Sequence, residues 1–292
     1  MAIVLDDAEV VARLRPKAAV AAMRAALVAA HRGELVAPPR VRVAGLMFTV
    51  GRLAGRWYGY RSYDTEVGGE QLVAVHAEPG GELAGVAVGT ALGEYRTGAL
   101  GGVAADVLAR RDAAALGVVG AGRQAWTQVW AIAAVRPLAR VAVYSRSPER
   151  REALADRVRG ELGVPARAVT NAREAVAGQD IVVLATSSGT PVIDAGWLAP
   201  GTAVTTVGPK QAGRAEFGPD LPARAALIAT DSPAQLRAYD PPALLAGAEA
   251  VPLGAILAGE HPGRPDPEAV TLYESVGLAG TEPYLLADLL DV

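Results

Sequence analysis

Lys210 stands in "TVGPKQAGRAEF", residues 206–217, and is one of only two lysines among 28 basic residues, the other 26 being arginine. An ammonium differs from a guanidinium in one useful respect. Burial or neighbouring cations bring its proton within the reach of neutral chemistry, whereas arginine keeps its charge. A lysine retained in a chain that otherwise uses arginine therefore suits a proton donor. The alternative is a solvated loop on which Lys210 pairs with Glu216.

A second candidate is a glycine run. Gly120-Ala121-Gly122-Arg123-Gln124-Ala125 follows the apolar "ALGVV" and opens the helical pattern "RQAWTQVWAIAAV". Between a strand and a helix, Gly120 allows the tight turn, Gly122 lets backbone amides reach a pyrophosphate, and Ala125 lets helix and strand pack closely. This G-x-G-x-x-A order points to a dinucleotide. About twenty residues further on, an NAD site places a carboxylate for the ribose hydroxyls. Here "VYSRSPERR" offers Ser145, Arg146, Ser147 and Arg150 instead. Serines and arginines donate hydrogen bonds to a 2′-phosphate, so NADPH (NADP+) is the expected cofactor.

The elements that must hold these residues change character along the chain. The first forty residues read as helices: Asp6 or Asp7 caps a short one, Pro16 opens another, and Val20, Met23, Leu27 and Ala30 recur at helical spacing. From Val41 to Ala87, short β-rich segments alternate with Gly, Pro and charged turns, which reads as an antiparallel meander. Within "WYGYRSY", alternation puts Tyr58, Tyr60 and Ser62 on one face and Trp57, Arg61 and Tyr63 on the other. A helix is expected over residues 96–110. Beyond it, apolar strands ending with "AALIAT" alternate with helices, so residues 113–272 are expected to form an α/β unit, a Rossmann-type doubly wound parallel sheet.

Composition removes several classes of function. With 51% hydrophobic and 20% charged residues over 292 positions, the chain suits a globular protein large enough for two domains. A net charge of −3 gives no basic field for nucleic acid. The absence of cysteine excludes disulfides and a thiol nucleophile, and His31, His76 and His261 lack metal-ligand spacing, so no metal is expected. No basic and apolar leader opens "MAIVLDDAEVV", and Arg24 interrupts the most apolar helical stretch. The expectation is a cytoplasmic protein without a membrane partner.

Taken in order, "GEYRTGALGG", "LGVVGAGRQA", "VYSRSPERREALA", "IVVLATSSGTPVI", "VGPKQAGRAEF" and "TLYESVGLAGTEPYLLADLL" resemble the ornithine cyclodeaminase and mu-crystallin family over nearly the whole chain. The most specific parts are Arg96-Thr97 and the run Ser275 to Ala279. The resemblance implies a second, α+β domain for substrate binding and dimerisation, residues 1–112 plus 273–292, around the dinucleotide-binding domain 113–272. It also implies a homodimer and chemistry at a carbon bonded to nitrogen. Arg40 and Arg96 match family arginines that clamp a substrate carboxylate. The family's active-site lysine falls on Arg61 and its catalytic aspartate on Lys210. An ammonium at the aspartate position repels a cationic amine, which argues against ornithine. In the quoted segments, Thr97, Thr186, Ser187, Val207, Gly208 and Val276 join the expected cofactor-binding set.

The expected function is an NADPH-dependent reductase of an imine, or less readily a carbonyl, in a small acidic substrate, with Lys210 delivering the proton. Tyr60 is a competing donor, with Tyr58 and Tyr95 behind it. The alternatives are an amino acid dehydrogenase or cyclodeaminase, and an NADPH-bound binding protein without turnover.

Overall fold

The computed structural model describes residues 2–292. Short buried runs, not all of them apolar, form its central strands. Ala115–Val119, Ile181–Leu184, Ala203–Thr206 and Thr271–Glu274 are buried along their whole length, as strands covered on both faces must be. With Arg140–Tyr144, Ala166–Ala168, Leu227–Thr230 and Val251–Pro252 they make an eight-stranded, wholly parallel sheet. Its order from one edge is 166–168, 140–144, 115–119, 181–184, 203–206, 271–274, 227–230 and 251–252. The expected boundary at 272/273 therefore cuts a strand that lies inside this sheet. Its sequence, Thr-Leu-Tyr-Glu, carries no continuous apolar signal, which is why pattern reading ends the sheet at "AALIAT".

The second sheet is the expected meander. Leu46–Leu53, Trp57–Asp64, Gln71–Ala77 and Leu83–Gly89 pair antiparallel in succession. Leu35–Val36 and Val41–Val43 extend one side, and Ile3–Leu5 pairs parallel to Leu83–Gly89 on the other. The opening residues are thus not all helical. Three apolar residues add an edge strand before Asp6 and Glu9 close a reciprocal capping box, at 2.8 and 3.0 Å, that starts the helix Asp7–Arg13.

Two helices join the sheets. Ala91–Leu108, 18 residues long and mostly buried, packs against both Pro16–His31 and Arg123–Val135. It begins five residues before the expected start, because Thr90 takes the N-cap position and Glu94 falls in the first turn. Arg96 and Thr97 consequently sit in its second turn. The helix Thr281–Leu289 returns to the meander, where Tyr284 meets Trp57 edge to face at 5.7 Å. Among the described residues, no helix is long and apolar enough to cross a membrane.

Candidate active site

The carboxyl ends of the strands 115–119, 140–144, 181–184 and 203–206 open onto one cleft of 920 Å³. Gly120, with φ +121°, turns the chain at its floor, and a Cβ there would lie 2.2 Å from the Ala185 carbonyl oxygen. Only glycine fits. Gly122 is the N-cap of Arg123–Val135 and offers no side-chain cap, while the space beside it is open. The first amides of a 13-residue helix therefore face the cleft without protein acceptors, an arrangement that fits a pyrophosphate.

Arg123, Gln124, Ser145, Arg146, Ser147, Arg150, Thr97, Thr186, Ser187, Val207 and Gly208 line the same cleft. Arg146 and Arg150 are exposed. Ser147 is partly committed, since its hydroxyl donates to Glu149 at 2.8 Å and accepts the Arg150 amide at 3.2 Å. Val276 lies outside the lining and is buried.

A carboxylate that pattern reading treats as a surface partner organises this end. Glu216 is fully buried. One of its oxygens accepts the Thr186 amide at 2.9 Å and hydroxyl at 2.8 Å. The other accepts the Val207 and Gly208 amides at 3.1 and 2.6 Å. Burial pushes its carboxyl above the ordinary carboxylate range against these donors. Two loops from neighbouring strands are thereby tied to one side chain.

The other end gathers the arginines. Arg61 and Arg96 line the cleft, and both donate to the same oxygen of Glu282, a residue 1% exposed. Burial opposes ionisation of Glu282, but Arg96 and Arg61 outweigh it and hold the carboxyl at about 2. Arg61 also donates through Nε and Nη2 to Gln71. Arg40 reaches the group from outside the cleft lining: its amide donates to Gln235 at 3.0 Å and its Nη2 to the Val276 carbonyl. The guanidiniums of Arg40 and Arg96 flank Gly277, whose φ of +82° and lack of a side chain let both approach. Asp231 shapes that loop by accepting the amides of Val276, Gly277 and Leu278 at 2.9, 2.8 and 2.9 Å. The Nε and Nη1 of Arg96 and the Nε of Arg40 are buried with no partner.

Lys210 is 5% exposed and so is not on a solvated loop. Nor does it hydrogen-bond to Glu216, whose oxygens go to the amides and hydroxyl above. Its Nζ donates to the carbonyls of Val207 at 3.2 Å and Gly208 at 2.6 Å. It sits behind these cleft-lining residues and outside the lining itself. Tyr60 lies on the strand Trp57–Asp64 next to Arg61 and, by alternation, on the opposite face, away from the cleft. Tyr58 stacks on His76 at 4.8 Å, and the Tyr95 hydroxyl accepts from Trp126 at 3.2 Å. None of the three tyrosines lines the cleft.

Glu282, Asp231 and Gln71 are the residues that sequence reading passes over, and Glu216 enters it only as a surface partner of Lys210. Glu282 carries the one available signal: an acid inside the otherwise apolar "LAGTEPYLL".

Comparison with known proteins places this geometry. The model of the ornithine cyclodeaminase/mu-crystallin family matches residues 60–283. Delta(1)-pyrroline-2-carboxylate reductase of Bacillus thuringiensis subsp. konkukian is 35% identical over 214 residues, covering 68% of this chain and 63% of its own. Iminosuccinate reductase of Paracoccus denitrificans is 29% identical over 297 residues, covering 94% and 92%. Its structure in complex with NAD+ superposes with a TM-score of 0.87 at 26% identity, over 99% and 95% of the two chains. The Thermococcus litoralis Delta(1)-pyrroline-2-carboxylate reductase, in complex with NADH and L-proline, gives 0.88 at 25% identity over 99% and 96%. The chain spans about three fifths, 58% to 63%, of the length of the first curated relatives it matches. Sequence and architecture agree, and the chain belongs to the ornithine cyclodeaminase/mu-crystallin family.

Proposed function

We propose that this chain is an NADPH-dependent reductase of the C=N bond in a small imine that carries a carboxylate. The observation that carries the reading is Arg96, whose Nε and Nη1 are buried and unpaired at the far end of a cleft that fits a dinucleotide. Buried donors without acceptors are rare. A substrate carboxylate oxygen gives the Nη1 of Arg96 an acceptor, in the planar geometry that guanidinium favours. The relatives named above support the substrate class, since pyrroline-2-carboxylate and iminosuccinate are both imines bearing carboxylates. Two of them are solved with NADH or NAD+. The preference for NADPH therefore rests on Ser145, Arg146, Ser147 and Arg150 in the place of a ribose-binding acid.

When bound, NADPH supplies a hydride to the imine carbon. The helix amides after Gly122 and the loops fixed by Glu216 hold the nucleotide. Arg96 and Arg40 take the carboxylate. Arg61, committed to Gln71 and Glu282, fixes Arg96 in place and does not itself bind the acid. The third N–H of Lys210 has no acceptor among the described residues, because its other two go to Val207 and Gly208. In this reading Lys210, held against the cleft-lining Val207 and Gly208, is the group that protonates the imine nitrogen.

The test is a panel of cyclic and acyclic imino acids and keto acids, followed by NADPH absorbance on wild type and Lys210→Met. The expected result is turnover of an imino acid by wild type, with kcat lowered roughly 10²- to 10⁴-fold in the variant and NADPH affinity little changed. An enzyme that reduces only keto acids, or none of the panel, sinks the imine reading. Near-wild-type turnover in Lys210→Met removes Lys210 as donor.

A further inference from the structure

One charged residue of the cleft has no task in this scheme. Glu94, in the first turn of Ala91–Leu108, lines the cleft together with Arg61, Arg96, Arg123, Arg146 and Arg150, and among the described residues it is the only acid in that lining. A cleft that takes a dinucleotide and a carboxylate takes two anions, and an acid in its wall opposes both. Its presence there needs a reason.

The neighbouring helix supplies one. The Nε of Arg123 lies 2.8 Å from Oε1 of Glu94, and the Arg123 Nη1 reaches the Thr90 hydroxyl at 3.5 Å. Thr90 is the N-cap of Ala91–Leu108, while Arg123 is the first residue of Arg123–Val135, the helix whose open amides suit the pyrophosphate. The ion pair therefore ties the helix that follows the meander to the helix that opens the parallel-sheet unit, and both partners face the cleft.

The two partners are unequally exposed. The Arg123 side chain is 74% exposed and that of Glu94 is 16% exposed. Arg123 is thus free to turn, whereas Glu94 is held in the wall. Burial pushes the Glu94 carboxyl above the ordinary range, and Arg123 opposes that rise. A pyrophosphate seated on the amides after Gly122 brings two negative charges to the guanidinium that Glu94 holds with one.

We propose that Glu94 is an internal competitor for the cofactor pyrophosphate: it holds Arg123 in the empty cleft and yields it when the dinucleotide binds. The inference rests on the dinucleotide reading of the cleft. One ion pair is exchanged for another, so the affinity for the cofactor is lower by what the Glu94 pair is worth. Re-forming that pair hastens release.

Glu94→Gln removes the charge and keeps the shape. By fluorescence titration at low salt, NADPH should bind this variant roughly twofold to fivefold more tightly than wild type, the range that an exposed ion pair is worth, and should leave it more slowly in stopped flow. Adenosine 2′-monophosphate, which has no pyrophosphate, should bind both proteins alike. The tightening should vanish when Glu94→Gln is combined with Arg123→Ala, since the competitor then has nothing to hold. Should Glu94→Gln not fold, Glu94→Ala carries the same expectations. Weaker or unchanged NADPH binding in these variants overturns the proposal, because Glu94 then presents Arg123 to the cofactor or has no part in binding it. A tightening that survives Arg123→Ala, or that extends to adenosine 2′-monophosphate, also overturns it, since the acid then acts through its field alone. A wild type that binds neither NADPH nor NADH defeats the dinucleotide reading itself, and the exchange falls with it.

Discussion

The two ends of the cleft solve opposite electrostatic problems. At the nucleotide end the donors are backbone amides, and a single carboxylate, Glu216, fixes both loops that carry them. At the other end the donors are side chains. Two guanidiniums, Arg61 and Arg96, meet Glu282, Arg40 joins them beside Gly277, and Asp231 holds that loop, so three positive charges less two negative leave a net of plus one. The first end is set largely by backbone conformation. The second is held by a few buried charges, each costly once its partner is gone.

The sharpest way to break this contrast is Glu282→Gln. It leaves two buried guanidiniums without a counter-charge, and is expected to lower unfolding stability by about 3–5 kcal/mol, read from urea midpoints. The pH dependence gives the sign. Burial opposes ionisation, but Arg96 and Arg61 prevail and depress the Glu282 pKa from 4.5 to about 2. Its stabilisation is therefore complete above 4.5 and is lost as pH falls through about 2. The gap between wild type and variant should be flat at neutral pH and close on acidification. A gap that ignores acid would mean the residue acts through shape alone.

Glu216→Gln asks the same question of the nucleotide end with a smaller expected effect. A carboxamide oxygen cannot replace two carboxylate oxygens that serve four donors. NADPH affinity should fall about tenfold to a hundredfold, by calorimetric titration, through loosening of the two loops. Unchanged affinity would show that the loops hold their shape without it. The smallest effect belongs to Arg146→Ala. As an exposed side chain at the rim, it should weaken NADPH by about tenfold and leave NADH alone. Equal weakening of both would remove the 2′-phosphate assignment.

The contrast also explains what the sequence discloses. The nucleotide end is local: a strand, a turn and a helix contiguous in the chain announce themselves through glycine spacing, and the serine and arginine cluster follows on the next strand. The charged end is assembled from afar. Arg61 meets Glu282 across 221 positions, and Asp231 reaches its loop across 45 to 47. No periodicity records such pairings. Alternation does record that Arg61 and Tyr60 face opposite ways, which argues against Tyr60 beside Arg61 in one site. The β-rich region is legible as a meander, while the strand Ile3–Leu5 escapes because three residues are too few to show a period.

The strand Thr271–Glu274 has a consequence for how the chain acquires its fold. In the finished sheet, five strands lie on one side of it and two on the other, and all seven precede it in the sequence. The strands 203–206 and 227–230 both have as their shared partner the last strand to be synthesised. Neither has its final partner until residue 274 has been made. Such late, non-local closure slows folding and leaves strand edges open to wrong partners. The strand that carries Glu274 into the interior is thus also the keystone whose arrival joins the two halves of the sheet.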